Sequence, residues 1–118
     1  MPENHGLIYK ITPAALWRRA QEAGRFAGAP VDAADGFIHF STAAQIAETA
    51  ARHFAGQSDL LLVTIDATSL GPALKWEASR GGALFPHLYG DLPLEAVKAV
   101  VPMTQAPDGT WDFAGKLQ

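Results

Sequence analysis

Apolar positions in this chain change their spacing several times, and each change marks an element. Leu7-Ile8-Tyr9-Lys10-Ile11 is a short run of β-formers and predicts a strand. Thr12 and Pro13 follow as a cap and a first helical position. Leu16, Ala20 and Ala23 then fall on one helical face with Trp17 beside them, and Gly24 is placed to stop the helix in a left-handed conformation. Residues 25–36 hold Gly28, Pro30, Asp32, Asp35 and Gly36 without a period, which predicts a loop long enough for a lid or a pocket wall. Phe37 to Phe40 is strand-like: Ile38 and Phe40 share an apolar face suited to the core, and Phe37, His39 and Ser41 share the other.

Thr42-Ala43-Ala44-Gln45 has the form of a capping box. Behind it Ala43, Ile46, Ala47, Ala50 and Phe54 recur at helical spacing, and Gly56 closes the helix. Leu60 to Ile65 is unbroken apolar chain, the pattern of a central strand. One helical turn is expected over 67–72 and a strand from Leu74 to Glu77. Arg80-Gly81-Gly82 should be flexible, and Phe85 to Tyr89 extended, with Pro86 keeping it at a sheet edge. Leu94 to Met103 reads as a strand, Pro107-Asp108-Gly109-Thr110 as a turn and Trp111 to Phe113 as the returning strand. This order predicts one compact α+β domain over residues 1–118, with a mixed, strongly bent sheet and two main helices.

Composition narrows the function. With 118 residues, 48% of them hydrophobic and 18% charged, the chain can bury one real core. A net charge of -3 without a Lys/Arg cluster argues against a nucleic-acid footprint. The absence of cysteine excludes disulfides and thiolate chemistry. No apolar stretch approaches the roughly 20 residues that span a bilayer, and the first residues lack a basic start followed by an apolar run. The expectation is a soluble cytoplasmic protein whose partner is a small molecule.

Its chemistry gathers in two stretches. His39 ends a short strand just before a helix start, where free N–H groups favour an anion, and Ser41 and Thr42 add hydroxyls. Glu77 follows Trp76, so the carboxylate could sit in a partly apolar cleft and hold a ribose hydroxyl. Arg80 with Gly81 and Gly82 could close over a phosphate. His87 and Tyr89 alternate on one face and could complete a pocket with His39. A metal is not expected, because no third ligand has suggestive spacing.

Taken together, Gly36–Thr42, Ala51–Gly56, Leu60–Asp66, Trp76-Glu77 and Arg80–Gly90 resemble domain-of-unknown-function family 952, small bacterial proteins grouped with the ADP-ribosyltransferase-like folds. The likeness runs over roughly residues 6–103. It implies a split β-sheet core with helices around it and a cleft of the nicotinamide-dinucleotide type, with NAD as the cofactor such a cleft takes. His39 followed by Ser41 is similar to the histidine-serine strand of the RNA 2′-phosphotransferases in that group. Glu77 compares with the ribose-binding glutamate of the transferases. Two features depart from the pattern: the first strand lacks a histidine or arginine, and the phosphotransferases' basic tetrad is not recognisable.

Three function classes stay open. The first is ADP-ribosyl or NAD-ribose chemistry at an anomeric carbon. In it His39 orients phosphate or ribose, Glu77 stabilises an oxocarbenium-like state, Tyr89 or Trp76 stacks on a base and Arg80 holds pyrophosphate. The second is a module that binds a nucleotide or small anion without turnover, and the third is a protein-interaction domain. Spacing does not fix the oligomeric state.

Overall fold

The computed structural model describes residues 6–117, apart from the side chain of Arg80. β1 (Leu7–Pro13) pairs antiparallel with β4 (Leu60–Asp66), which pairs with β8 (Val97–Pro102). β4 is therefore central, as its apolar run requires. Strand alternation sends its neighbours into two cores. Ile8, Val63 and Ile65 meet Phe26, Ile38, Leu88 and the Trp17 and Ala20 face of α1 (Ala14–Ala23). Tyr9, Ile11 and Leu62 meet Met103 and the Ile46 and Ala50 face of α3 (Ile46–His53). No helix among the described residues is long and apolar enough to cross a membrane.

A second sheet has the order β3 (Ile38–His39), β6 (Leu84–Leu88), β5 (Leu74–Ala78). The two sheets touch at one bridge. Tyr9 N–H donates to the Ser41 carbonyl at 2.8 Å, and Ser41 N–H donates back to Tyr9 at 2.9 Å. Beyond that bridge β1 and β3 diverge, and the split opens a cleft. Two small ladders complete the fold: β2 (Arg25–Phe26) with β7 (Leu92–Pro93), and β9 (Thr104–Gln105) with β10 (Trp111–Asp112) across the expected turn.

Several expectations are corrected. Every described strand pair is antiparallel, so the sheet is split but not mixed. Each helix carries the chain from one sheet to another, so no strand–helix–strand unit returns in parallel to its own sheet. β1 extends through Pro13 because Pro13 still pairs with Leu60, and α1 starts at Ala14, whose N–H donates to Asp59 at 2.9 Å. Residues 25–36 are not one loop. They contain β2 and the six-residue α2 (Pro30–Asp35), with proline at its start and Gly36 left-handed (φ 87°) at its end. At α3 the Gln45 side chain accepts from Thr42 N–H at 3.0 Å, half of the expected capping box, but the helix begins at Ile46 and leaves Ala47 exposed.

β6 is central, not an edge strand, despite Pro86. The backbone N and O of one strand residue point the same way, and the Pro86 carbonyl accepts from Phe40 N–H at 3.0 Å. The missing donor therefore faces the end of β3 and forfeits one bond there, which is why β3 is only two residues long. Its rungs against β6 are Ile38 with Leu88 and His39 with His87.

Leu62 is fully buried at the centre of β4. Leu62→Ala is expected to cost about 2–5 kcal/mol, with an unchanged denaturant slope, in equilibrium urea unfolding.

Candidate functional site

A cavity of about 630 Å³ occupies the split, within the range that takes a small-molecule ligand. Lys10, Asp32, Asp35, His39, Ser41 and His87 line it. Among these, Asp32 is only 1% exposed. Oδ1 of Asp32 lies 2.6 Å from His39 Nδ1 and accepts the His39 backbone N–H at 3.1 Å. Oδ2 accepts from Ala29 N–H at 2.7 Å and lies 2.9 Å from Lys10 Nζ. Burial opposes ionisation of this carboxylate, but the His39 hydrogen bond and the Lys10 charge outweigh it and bring the pKa down to about 2. Burial lowers the Lys10 ammonium as well, below its ordinary value, with Asp32 opposing the shift.

Local chain geometry sets this carboxylate in place. Asp32 sits in the first turn of α2, and Gly28 backs it with φ at 102°. A Cβ at Gly28 would come within 2.8 Å of the Asp32 Cβ, so the turn needs glycine both for its backbone and for room. The last residue of α2, Asp35, reaches the opposite side of the imidazole, with Oδ2 at 2.9 Å from His39 Nε2. His39 thus lies between two carboxylates, one buried and one half-exposed.

A second histidine stands beside it. His87 Nδ1 is 2.8 Å from Glu77 Oε1, and Tyr89 donates its hydroxyl to the same oxygen at 2.8 Å. The hydrogen bonds from His87 and Tyr89 hold the Glu77 carboxyl below its usual range, and Glu77 in turn raises the Tyr89 phenol. The Phe37 ring packs 4.2 Å from His87, 4.6 Å from His39 and 5.2 Å from Tyr89, centroid to centroid. The two imidazoles are 5.5 Å apart, edge to face.

Of the residues singled out from sequence, His39, Ser41 and His87 line the cavity, and Ser41 pairs its hydroxyl with Thr49 at 2.9 Å. Glu77 and Tyr89 join the cluster through His87 but do not line the cavity. Thr42 helps to start α3 and is not part of the lining. Trp76 does not join: it pairs with Pro86 and alternates with Glu77, so it projects from the opposite face into a separate depression of about 240 Å³. The Arg80 side chain lies outside the described residues. Among the described residues no three His, Cys, Asp or Glu side chains are grouped to hold a metal ion.

Lys10, Asp32, Asp35 and Phe37 are additions from the structure. A signal for the first was present, since a lysine within an apolar strand run needs a buried partner. Lys10 also puts a cation on the first strand, which lacks histidine and arginine.

Residues 11–100 match the family described as proteins of unknown function, DUF952. The chain belongs to that family. The match contains every residue of the histidine cluster and begins one residue after Lys10. The DUF952 chain is similar to the crystal structure of protein CC0527 from Caulobacter crescentus, at 49% identity and a TM-score of 0.88 over 92% of this chain and 95% of that one. It is also similar to the solution structure of CC0527, at 49% identity and a TM-score of 0.83 over 94% and 96% of the two chains. No curated protein matches it.

Asp32→Asn is expected to destabilise the fold by about 3–5 kcal/mol, because it strands the buried Lys10 ammonium. The folded Asp32 pKa of about 2 lies below the ordinary 3.8, so its ionisation stabilises the fold above that range. Wild-type stability should fall by about 2 kcal/mol from this group between about pH 4 and pH 2, and acid titration of denaturant midpoints should show this component missing in Asp32→Asn.

Proposed function

We propose that the cleft binds a small nucleotide-type ligand and that His39 Nε2 takes its anionic group. The observation that carries this reading is the position of Asp35. A half-exposed carboxylate at the C-terminal end of a short helix reaches back 2.9 Å to the histidine nitrogen that faces away from Asp32. It stands where a ligand oxygen would stand. Lys10 and His39 can carry two positive charges against Asp32 alone once Asp35 is displaced, so an anion fits the vacated place. Cavity size favours a mononucleotide or dinucleotide part over a polymer, and NAD remains the cofactor implied by the ADP-ribosyltransferase-like resemblance.

Chemistry at an anomeric carbon is the less favoured reading. It calls on Glu77 to hold a ribose 2′-hydroxyl, and Glu77 directs Oε1 to His87 and Tyr89, beside the cavity and not into it. Binding of the ligand's phosphate at His39 needs no such rearrangement beyond the swing of one surface carboxylate.

Calorimetric titration of NAD, ADP-ribose and 3′-AMP tests the proposal. Saturable binding of at least one is expected, with loss in His39→Ala. Asp35→Ala should bind the same ligand about fivefold tighter, the equivalent of the ~1 kcal/mol that a half-exposed ion pair contributes. Absence of binding by folded wild type to all three would overturn the reading.

A further inference from the structure

We infer that His39 and His87 form an acid–base pair that hydrolyses a cyclic ribose phosphodiester, a reaction that rests on the nucleotide-binding reading of the same cleft. The two rings are cross-strand neighbours on β3 and β6, 5.5 Å apart, and both line the cavity. Each is fixed in the same manner, with Nδ1 against a carboxylate: Asp32 at 2.6 Å for His39 and Glu77 at 2.8 Å for His87. Phe37 packs on both rings and fixes their planes. In both, Nε2 is the nitrogen on the other side of the ring from that carboxylate, and in His39 Asp35 holds it at 2.9 Å until a ligand displaces it.

Their surroundings assign opposite roles. His39 has a carboxylate against each nitrogen, Asp32 at Nδ1 and Asp35 at Nε2, a geometry that suits a ring donating to both and acting as the acid. When a phosphate displaces Asp35, the second anion is replaced by another and the Nε2 proton is retained. His87 has one carboxylate and is 6% exposed. With its Nδ1 proton donated to Glu77, Nε2 carries the lone pair. An acid and a base with separate environments, on rings whose centroids are 5.5 Å apart in one cavity, are what phosphoester hydrolysis needs.

The step balances with water as the co-reactant. His87 Nε2 takes a proton from water as the water oxygen bonds to phosphorus. The bond from phosphorus to one ribose oxygen breaks, and His39 Nε2 gives its proton to that oxygen. The product is a ribonucleoside monophosphate. Protonated His87 and neutral His39 then return to their starting states by exchange with solvent. A cyclic substrate suits the cleft because it is a single nucleotide, whereas the net charge of -3 disfavours docking of a long polyanion.

The test uses the whole chain with 2′,3′-cyclic AMP, followed by phosphorus NMR, and calorimetric binding of 3′-AMP in parallel. Wild type should convert the cyclic ester to a monophosphate. His39→Gln and His87→Gln should each lower kcat by about 10²-fold or more, while His87→Gln still binds 3′-AMP. Circular dichroism checks each fold, with His39→Asn and His87→Asn as replacements for a variant that does not fold. Binding of 3′-AMP without turnover would overturn the acid–base pair and leave the binding reading standing. Turnover undiminished in both variants would overturn it as well. Neither binding nor turnover, with NAD and ADP-ribose also unbound, would overturn both.

Discussion

One buried carboxylate organises the cleft. Asp32 ties the ammonium of Lys10 on β1 to the imidazole and backbone of His39 on β3, across the place where the two sheets part. A lysine so deep in a strand would be costly alone, and so would the aspartate. Each is tolerable because the other is there. The pair therefore constrains three elements at once: β1 and β3 must diverge by the reach of a lysine, and α2 must present its first turn toward both. The short, glycine-bounded helix is held to β3 at both ends, by Asp32 in its first turn and by Asp35 in its last.

That constraint leads directly to the chemistry of the cavity. Because Asp32 takes Nδ1, the imidazole is held in orientation, and Nε2 is the nitrogen that faces Asp35. Asp35, from the far end of the same helix, covers it. Both the anchor and the cover thus belong to α2. Phe37 packs against both rings, and Glu77 holds the second histidine in its turn.

Much of this was legible in the chain. The apolar run at 60–65 is the central strand, Ile38 and Phe40 are core, Gly24 ends its helix, and His39, Ser41 and His87 meet in one cavity. What was missed has a separate physical cause at each element. A six-residue helix is too short to show a period, so α2 read as a loop and its two aspartates read as loop polarity. Lys10 alternates with the core residues Tyr9 and Ile11, but a run of β-formers does not tell that the opposite face is buried by a partner distant in sequence. Pro86 misled because the rule for proline assumes a full ladder on both sides, and β3 ends where that ladder would have continued. Trp76 was grouped with Glu77 by adjacency, although neighbours on a strand face opposite ways. Membership of DUF952 and the likeness to CC0527 support the fold and leave the chemistry to the geometry of the cleft.

The most direct measurement of the Asp32 account is nitrogen-15 NMR of the histidine rings in the unliganded protein. A slowly exchanging, strongly downfield proton on His39 Nδ1, lost when Asp32 is replaced by asparagine in a variant shown to fold, is the predicted result. A His39 ring with Nδ1 unprotonated, or one whose signals do not respond to the substitution, would contradict the claim that this carboxylate sets the histidine and, through it, the site.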